Sequence, residues 1–183
     1  MRLNRHYDLQ GKHAFLSASK YHWVSYDEDH LDFAYDSHNA ARRGTELHEL
    51  AFNLIRLGVN LPRTSKTLNN YVNDALGYRM TPEQPLFYSN NAFCTADALG
   101  FKNNLLRVFD LKTGKGPTSE KQLWVAAAFF CLEYGFRATE LKYDLRIYQN
   151  DEVRHYEADP VTIALVMDRT VTFSDRIDQR KEA

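Results

Sequence analysis

Cysteine is scarce: the 183-residue chain carries two, Cys94 and Cys131. Two thiolates cannot hold a four-cysteine iron–sulfur cluster. Both lie in apolar runs, where buried reduced thiols are the expected state. Glycine and proline are few as well, 8 and 5. No Gly/Ser/Pro-rich stretch divides the chain, so one domain over 1–183 is expected. No run of 18 apolar residues occurs, so neither a membrane-spanning helix nor a membrane partner is expected. The opening MRLNRHYDLQGKH lacks the apolar segment of a secretory signal, which points to the cytoplasm. An excess of charge is missing too: 23 Lys and Arg against 24 Asp and Glu give a net charge of −1. That argues against coating nucleic acid through bulk charge and leaves room for an enzyme that grips a few phosphates locally.

What is present is 44% hydrophobic residues, with 13% aromatic. This is enough for a core without disulfide or metal staples. LSASKYHWVSY reads as a short helix capped by Ser17 or Ser19. From Ser37 to Leu57 the stripe Leu47, Leu50, Ala51, Leu54 and Ile55 predicts a helix, stopped at Gly58. A second helix follows Thr64 or Ser65, with Leu68, Tyr71, Val72, Ala75 and Leu76 on its apolar side. QPLFYSNNAFCTADALGF predicts two strands around Asn90–Asn91, and NNLLRVFDLKTGKG a third between turns. Ser119-Glu120-Lys121-Gln122 has the form of a capping box, opening a helix that ends at Gly135. Leu141, Tyr143, Leu145 and Ile147 alternate onto one strand face. A turn at Asn150–Asp151 leads to an edge strand, EVRHYEA. Asp159-Pro160 then starts a C-terminal helix. The order α, α, β, β, β, α, β, β, α predicts an α/β fold, a mixed sheet flanked by helices.

Chemistry concentrates in VFDLKTG. On a strand, Asp110 and Lys112 share a face, about 6.6–6.8 Å apart, with Leu111 opposed. Val108 and Phe109 place this pair at the end of a buried strand, and Gly114 and Gly116 turn the chain away at once. Asp97 lies on the preceding strand, and antiparallel pairing can set it beside Asp110. Two adjacent carboxylates repel unless a cation neutralises them, and hard oxygen ligands suit Mg²⁺ or Mn²⁺. His48, in GTELHELA, flanks the apolar stripe of the first long helix. HELAF is not the H-E-x-x-H zinc pattern, because position 52 is Phe.

Taken in order, GTELHELA, CTADALGF, FDLKTGKG and QLWVAAAFF resemble the PD-(D/E)XK nuclease superfamily, in its RecB-like exonuclease branch. The resemblance covers residues 14–135, with strands and a helix over 139–183 beyond it. FLSASKYHW is similar to the Ser-rich start of phage-encoded members. The resemblance implies a restriction-endonuclease-like core and Mg²⁺- or Mn²⁺-dependent hydrolysis of DNA to 5′-phosphate products. Such an exonuclease would act in recombination, repair or phage DNA metabolism, with a recombination or replication protein as a further partner. It implies His48, Asp97 and Asp110 as metal ligands, the Leu111 carbonyl as a further one, and Lys112 as the catalytic cation. Gln122 matches the glutamine of a motif that reads QxxxY, but Ala126 stands where the tyrosine belongs. Without the four cysteines of the CRISPR-adaptation relatives, the chain resembles a cluster-free member. One other reading is a nuclease-like fold that binds DNA ends or branched DNA without cutting; it predicts loss of a carboxylate or of the lysine, and all are present. A second is a phage interaction protein that contacts a host recombination or defence complex, which the small size and near-neutral charge fit and which does not exclude catalysis.

Basic residues gather around these motifs in sequence: Arg42, Arg43, Lys102, Arg107, Lys112, Lys115 and Lys121. Arg42 and Arg43 precede His48 by about one and a half helical turns. Lys115 and Lys121 flank the turn after the D-x-K strand, at a helix N-terminus that attracts phosphate. With Gln122, these four are the expected DNA contacts.

Overall fold

The computed structural model describes Tyr7 and residues 14–181. The chain divides into two compact units between Arg43 and Gly44. In the first, a 3-10 helix spans Ala18–Ser25 where the short helix was expected. Ser17 stands at its N-cap without a side-chain capping bond. Its carbonyl instead accepts from Lys20 N–H and from Trp23 Nε1, both at 3.0 Å. Helix α1 spans Glu28–Leu57 and starts nine residues before the expected Ser37. The start is set by Asp27, whose Oδ1 accepts the N–H of His30 at 2.8 Å. The apolar stripe begins only later, at Leu47. Phe15 packs edge-on against Tyr35, with ring centroids 5.2 Å apart.

The second unit holds the rest of α1 and the remaining elements. Gly58, at φ +70°, ends α1 as expected. Its N–H reaches the Ile55 carbonyl and that of Val59 reaches Leu54, a Schellman closure. Helix α2, Thr67–Gly77, begins two residues beyond Ser65. Neither Thr64 nor Ser65 caps it: the Thr67 N–H is received by Asp151 Oδ1 at 2.9 Å, from a turn 84 residues onward. Tertiary structure here supplies the cap that the local sequence lacks.

Strands β1 (Thr81–Ser89), β2 (Ala92–Lys102), β3 (Leu105–Leu111), β4 (Lys142–Gln149) and β5 (Glu152–Tyr156) form one sheet in the order β1-β2-β3-β4-β5. All neighbours are antiparallel except β3 and β4, which are parallel. The fold is therefore α/β, with a five-stranded mixed sheet, and β5 is an edge strand as expected. Asn103 and Asn104, and again Asn150 and Asp151, have positive φ at both positions, the backbone that tight two-residue hairpins require.

Helix α3 (Lys121–Tyr134) covers one face of the sheet with α4 (Pro160–Lys181). Leu106, Val108, Leu145 and Ile147 of the strands meet Leu123, Ala127, Phe130 and Ile163 there. The other face, built on Ala98, Phe109, Leu111 and Tyr148, packs on Ala51 and Ile55 of α1 and Tyr71, Val72 and Ala75 of α2. Gly135, at φ +72°, ends α3 as expected. The capping box at its start does not form. The helix begins at Lys121 with Glu120 as N-cap, so the third helical position is Leu123, which has no group to return. Ser119 Oγ accepts only the Lys121 N–H, at 3.3 Å. Asp159 caps α4 as expected, accepting from Val161 N–H and Thr162 Oγ1. Cys131 is buried and Cys94 half-buried, both as free thiols. Among the described residues, no helix is long and apolar enough to cross a membrane.

Candidate active site

The register of β2 on β3 places the two aspartates. The last rung pairs Ala98 with Phe109, so the next step brings Asp97 opposite Asp110 just where the ladder opens. Asp97 Oδ2 accepts the Leu111 N–H at 2.8 Å, a bond across the opened end. Lys112 Nζ donates to Asp110 Oδ1 at 3.1 Å and lies 3.0 Å from Oδ2. That Oδ2 is buried and receives no hydrogen bond with proper geometry. The Lys112 main chain is held separately, its N–H donating to the Tyr148 carbonyl of the parallel strand at 2.8 Å.

His48 reaches this point because of Gly44, one turn earlier on α1. A Cβ at Gly44 would lie 2.7 Å from Thr113 Oγ1, so a side chain there would force the Thr113 hydroxyl or the helix to shift. One helical turn on, His48 Nδ1 stands 3.7 Å from Asp97 Oδ2. The spacing G-x-x-x-H thus has a steric cause within this unit: the glycine makes the approach and the histidine uses it.

A further carboxylate joins that sequence reading missed. Glu83 has φ +48° inside β1, a left-handed backbone that costs a side-chain-bearing residue roughly 1–3 kcal/mol. Its rung is absent from the β1–β2 ladder, where Pro82 pairs with Ala98 and Gln84 with Ala96, so it falls opposite Asp97. Ligand atoms of His48, Glu83 and Asp97 lie within 4.8 Å of one another. The expected strand began at Gln84 and so left Glu83 outside. The available signal is TPEQP itself: two prolines have no N–H to give to a ladder, so they mark an edge strand, and the acidic residue lies between them.

Burial holds the Asp97 carboxyl above the usual carboxylate range. The Leu111 N–H and then His48 act against this, and Glu83 adds to it. Asp110 is also raised, by burial first and by Asp97 second, with Lys112 opposing. The phenol of Tyr71, buried beneath, is pushed well up by burial and then by Asp97, Glu83 and Asp110. Without a cation, the cluster is therefore under electrostatic stress that Lys112 and His48 offset only in part. His48, Glu83 and Asp97, two carboxylates with one imidazole, suit a hard divalent cation, while the expected ligand Asp110 stands outside that triad and is paired with Lys112.

Around this point the chain leaves two openings. Asp97, Asp110, Leu123 and Gln122 share the walls of one, between the sheet and α3. Lys112, Gly114, Gly116, Ser119, Gln149 and again Gln122 border the other. Gln122 thus sits at the site, exposed between both. Lys115 borders a third hollow with Lys112 and Leu47 of α1, and Lys121 is exposed at the start of α3. Arg42 and Arg43 are exposed at the end of the first unit. Lys102 and Arg107 do not belong to this cluster. They border a hollow at the opposite end of the β2–β3 hairpin, with Tyr78 and Arg79. Lys102 is five residues from Asp97, about 17 Å along an extended strand. Arg107 is committed to Asp144 at 3.1 Å and lies over the Tyr78 ring, 4.3 Å from its centroid. Proximity in sequence had grouped residues that the strand carries apart.

No protein-family model matches the chain, and a search of the curated proteins finds no match.

Proposed function

We propose that this chain is a divalent-metal-dependent nuclease of the PD-(D/E)XK kind, hydrolysing phosphodiester bonds of DNA. We read it as an exonuclease of recombination, repair or phage DNA metabolism, at work in the cytoplasm of a bacterium or an infected host. The observation that carries this reading is the grouping of His48, Glu83 and Asp97, with Asp110 one step past the last β2–β3 rung and paired with Lys112. Such a set is costly without a cation and apt with one.

Asp97, Asp110, His48 and Glu83 would hold Mg²⁺ or Mn²⁺, with the carbonyl of Leu111, next in the chain to Asp110, as a further ligand. The ion supplies Lewis acidity toward a phosphoryl oxygen and lowers the pKa of a water. Lys112 brings a compact positive charge on a flexible stem and is steadied by Asp110. Its role is to offset negative charge growing on the phosphate in the transition state and to orient the attacking water. The Leu111 N–H holds the Asp97 carboxylate, whose Oδ2 also faces His48. Lys115, Lys121 and Gln122 lie on the loop and helix start that border Lys112, where duplex phosphates would be positioned.

The test is digestion of end-labelled linear and circular DNA, single- and double-stranded, with Mg²⁺ and with Mn²⁺. Cleavage that needs the ion and disappears in Asp97→Ala/Asp110→Ala is expected, together with loss of Mn²⁺ binding by calorimetry. A folded wild type that cuts none of these substrates, or a double variant that binds Mn²⁺ as the wild type does, overturns the reading.

A further inference from the structure

Strand β4 ends in a buried amide. Gln149 is 1% exposed, yet its side chain is fully engaged. Nε2 donates to two carbonyls, Gly114 at 2.6 Å and Gly116 at 2.8 Å. Oε1 accepts from Thr118 Oγ1 at 3.4 Å, and Arg154 donates to that same hydroxyl at 3.5 Å. One side chain thus ties positions 114, 116 and 118 of the loop between Lys112 and α3. The residue before it, Tyr148, holds the Lys112 N–H through its carbonyl. The end of β4 is therefore a template on which the segment from Lys112 to Thr118 is laid.

The chemistry of the head group is specific. An amide offers two donors and an acceptor in one plane, which these partners use together. A carboxylate has no donor for the two carbonyls and would bury a charge against them. An apolar side chain of equal size would remove the shared donor that ties both carbonyls to β4. Lys115 stands between the two tethered carbonyls and borders the same hollow as Lys112, while Gln149 borders the neighbouring one with Lys112 and Gln122. The loop is the wall between the two hollows.

We propose that Gln149 is a positioning residue of this site, acting through the Gly114–Thr118 loop to keep Lys115 on the substrate's phosphates beside Lys112. The inference rests on the nuclease reading above and adds a residue to it that touches neither metal nor substrate. A residue that merely stabilised the fold would lower the melting temperature with no link to Lys115. A positioning residue makes the contribution of Lys115 depend on it.

The experiment is a double-variant cycle on DNA binding. Gln149→Met keeps the volume and removes the donors. Duplex affinity is measured by fluorescence anisotropy across a salt series for wild type, Gln149→Met, Lys115→Ala and the double variant, with KM and kcat in Mg²⁺ alongside. Loss of one phosphate contact weakens binding and flattens the salt slope by about one unit, so the deficit shrinks about threefold between 50 and 200 mM salt. Gln149→Met is expected to show this loss, to raise KM more than it lowers kcat, and to add nothing once Lys115 is alanine. Hydrogen exchange of the amides of residues 113–116, 118 and 119 is expected to quicken while that of β3 does not. Additive costs in the cycle, wild-type binding by Gln149→Met, or unchanged exchange in the loop would each overturn the proposal. If Gln149→Met does not fold, Thr118→Val, which removes one tether, is expected to give the same pattern at smaller amplitude, and independence from Lys115 there refutes it equally. A wild type that neither binds nor cuts DNA overturns the nuclease reading, and the inference with it. A wild type that cuts, combined with additive costs, overturns the role of Gln149 alone.

Discussion

Gly44→Ala is the substitution on which the geometry bears most directly. The new Cβ would sit 2.7 Å from Thr113 Oγ1. Comfortable non-bonded separations begin near 3.5 Å, so the pair is short by about 0.8 Å. If α1 withdraws by that amount, His48 Nδ1, now 3.7 Å from Asp97 Oδ2, moves to roughly 4.5 Å. Metal–ligand distances tolerate only about 0.2 Å, so the histidine would no longer share an ion with the carboxylates. A supporting-residue loss of this kind costs about 10–100-fold in metal affinity or activity. Stability should change far less. Overpacking costs about 1–3 kcal/mol, while alanine in place of glycine returns about 1 kcal/mol of helix propensity. Relief of the clash is the control: Thr113→Ala removes Oγ1 and leaves Thr113 Cβ as the nearest atom, at an ordinary 3.8 Å. Calorimetric Mn²⁺ titration and cleavage of labelled duplex should both be impaired in Gly44→Ala and recover in Gly44→Ala/Thr113→Ala. A single variant indistinguishable from wild type would refute the reasoning, as would a double variant no better than the single.

The same site gives three further expectations. Lys112→Ala should lower kcat by about 10²–10³-fold while Mn²⁺ still binds, because the lysine's charge acts on the transition state; near wild-type turnover in Mg²⁺ would remove Lys112 from catalysis. His48→Ala should weaken Mn²⁺ binding about 10–100-fold or more, whereas His155→Ala, on exposed β5, should leave it unchanged; equal behaviour of the two would make His48 a packing residue. Asp97→Asn should stabilise the metal-free protein at pH 7. Burial, followed by Glu83, raises the Asp97 pKa, so the folded state binds this proton more tightly than the unfolded one, and wild-type stability falls as pH rises from the ordinary carboxylate range through the raised value. The advantage of the asparagine variant should therefore vanish at acid pH and reverse in saturating Mn²⁺, which stabilises the form that binds it; parallel melting curves for the two proteins between pH 4 and 8 would show that the carboxylate is not stressed.

Local chemistry made much of this protein legible in its sequence. Asp110 and Lys112 share a face because strands have a period of two, and no tertiary information is needed to see it. The same holds for the face of Leu141, Leu145 and Ile147, and for the helix ends at Gly58 and Gly135, where a left-handed residue closes the turn. What the sequence could not carry depended on partners far along the chain. Asp151 caps α2 from 84 residues away, so the helix follows Ser65 as expected but its capping partner is not visible in the local sequence. Lys102 and Arg107 are near the site in number only, because a strand of that length carries them to its other end. Glu83 joins His48 and Asp97 through a backbone irregularity that two prolines permit but do not place. Gln149 gains its meaning from a loop more than thirty residues earlier, whose carbonyls accept its amide. Period and turn chemistry are properties of a few adjacent residues. Convergence is a property of register and packing, which exist only once the sheet has formed.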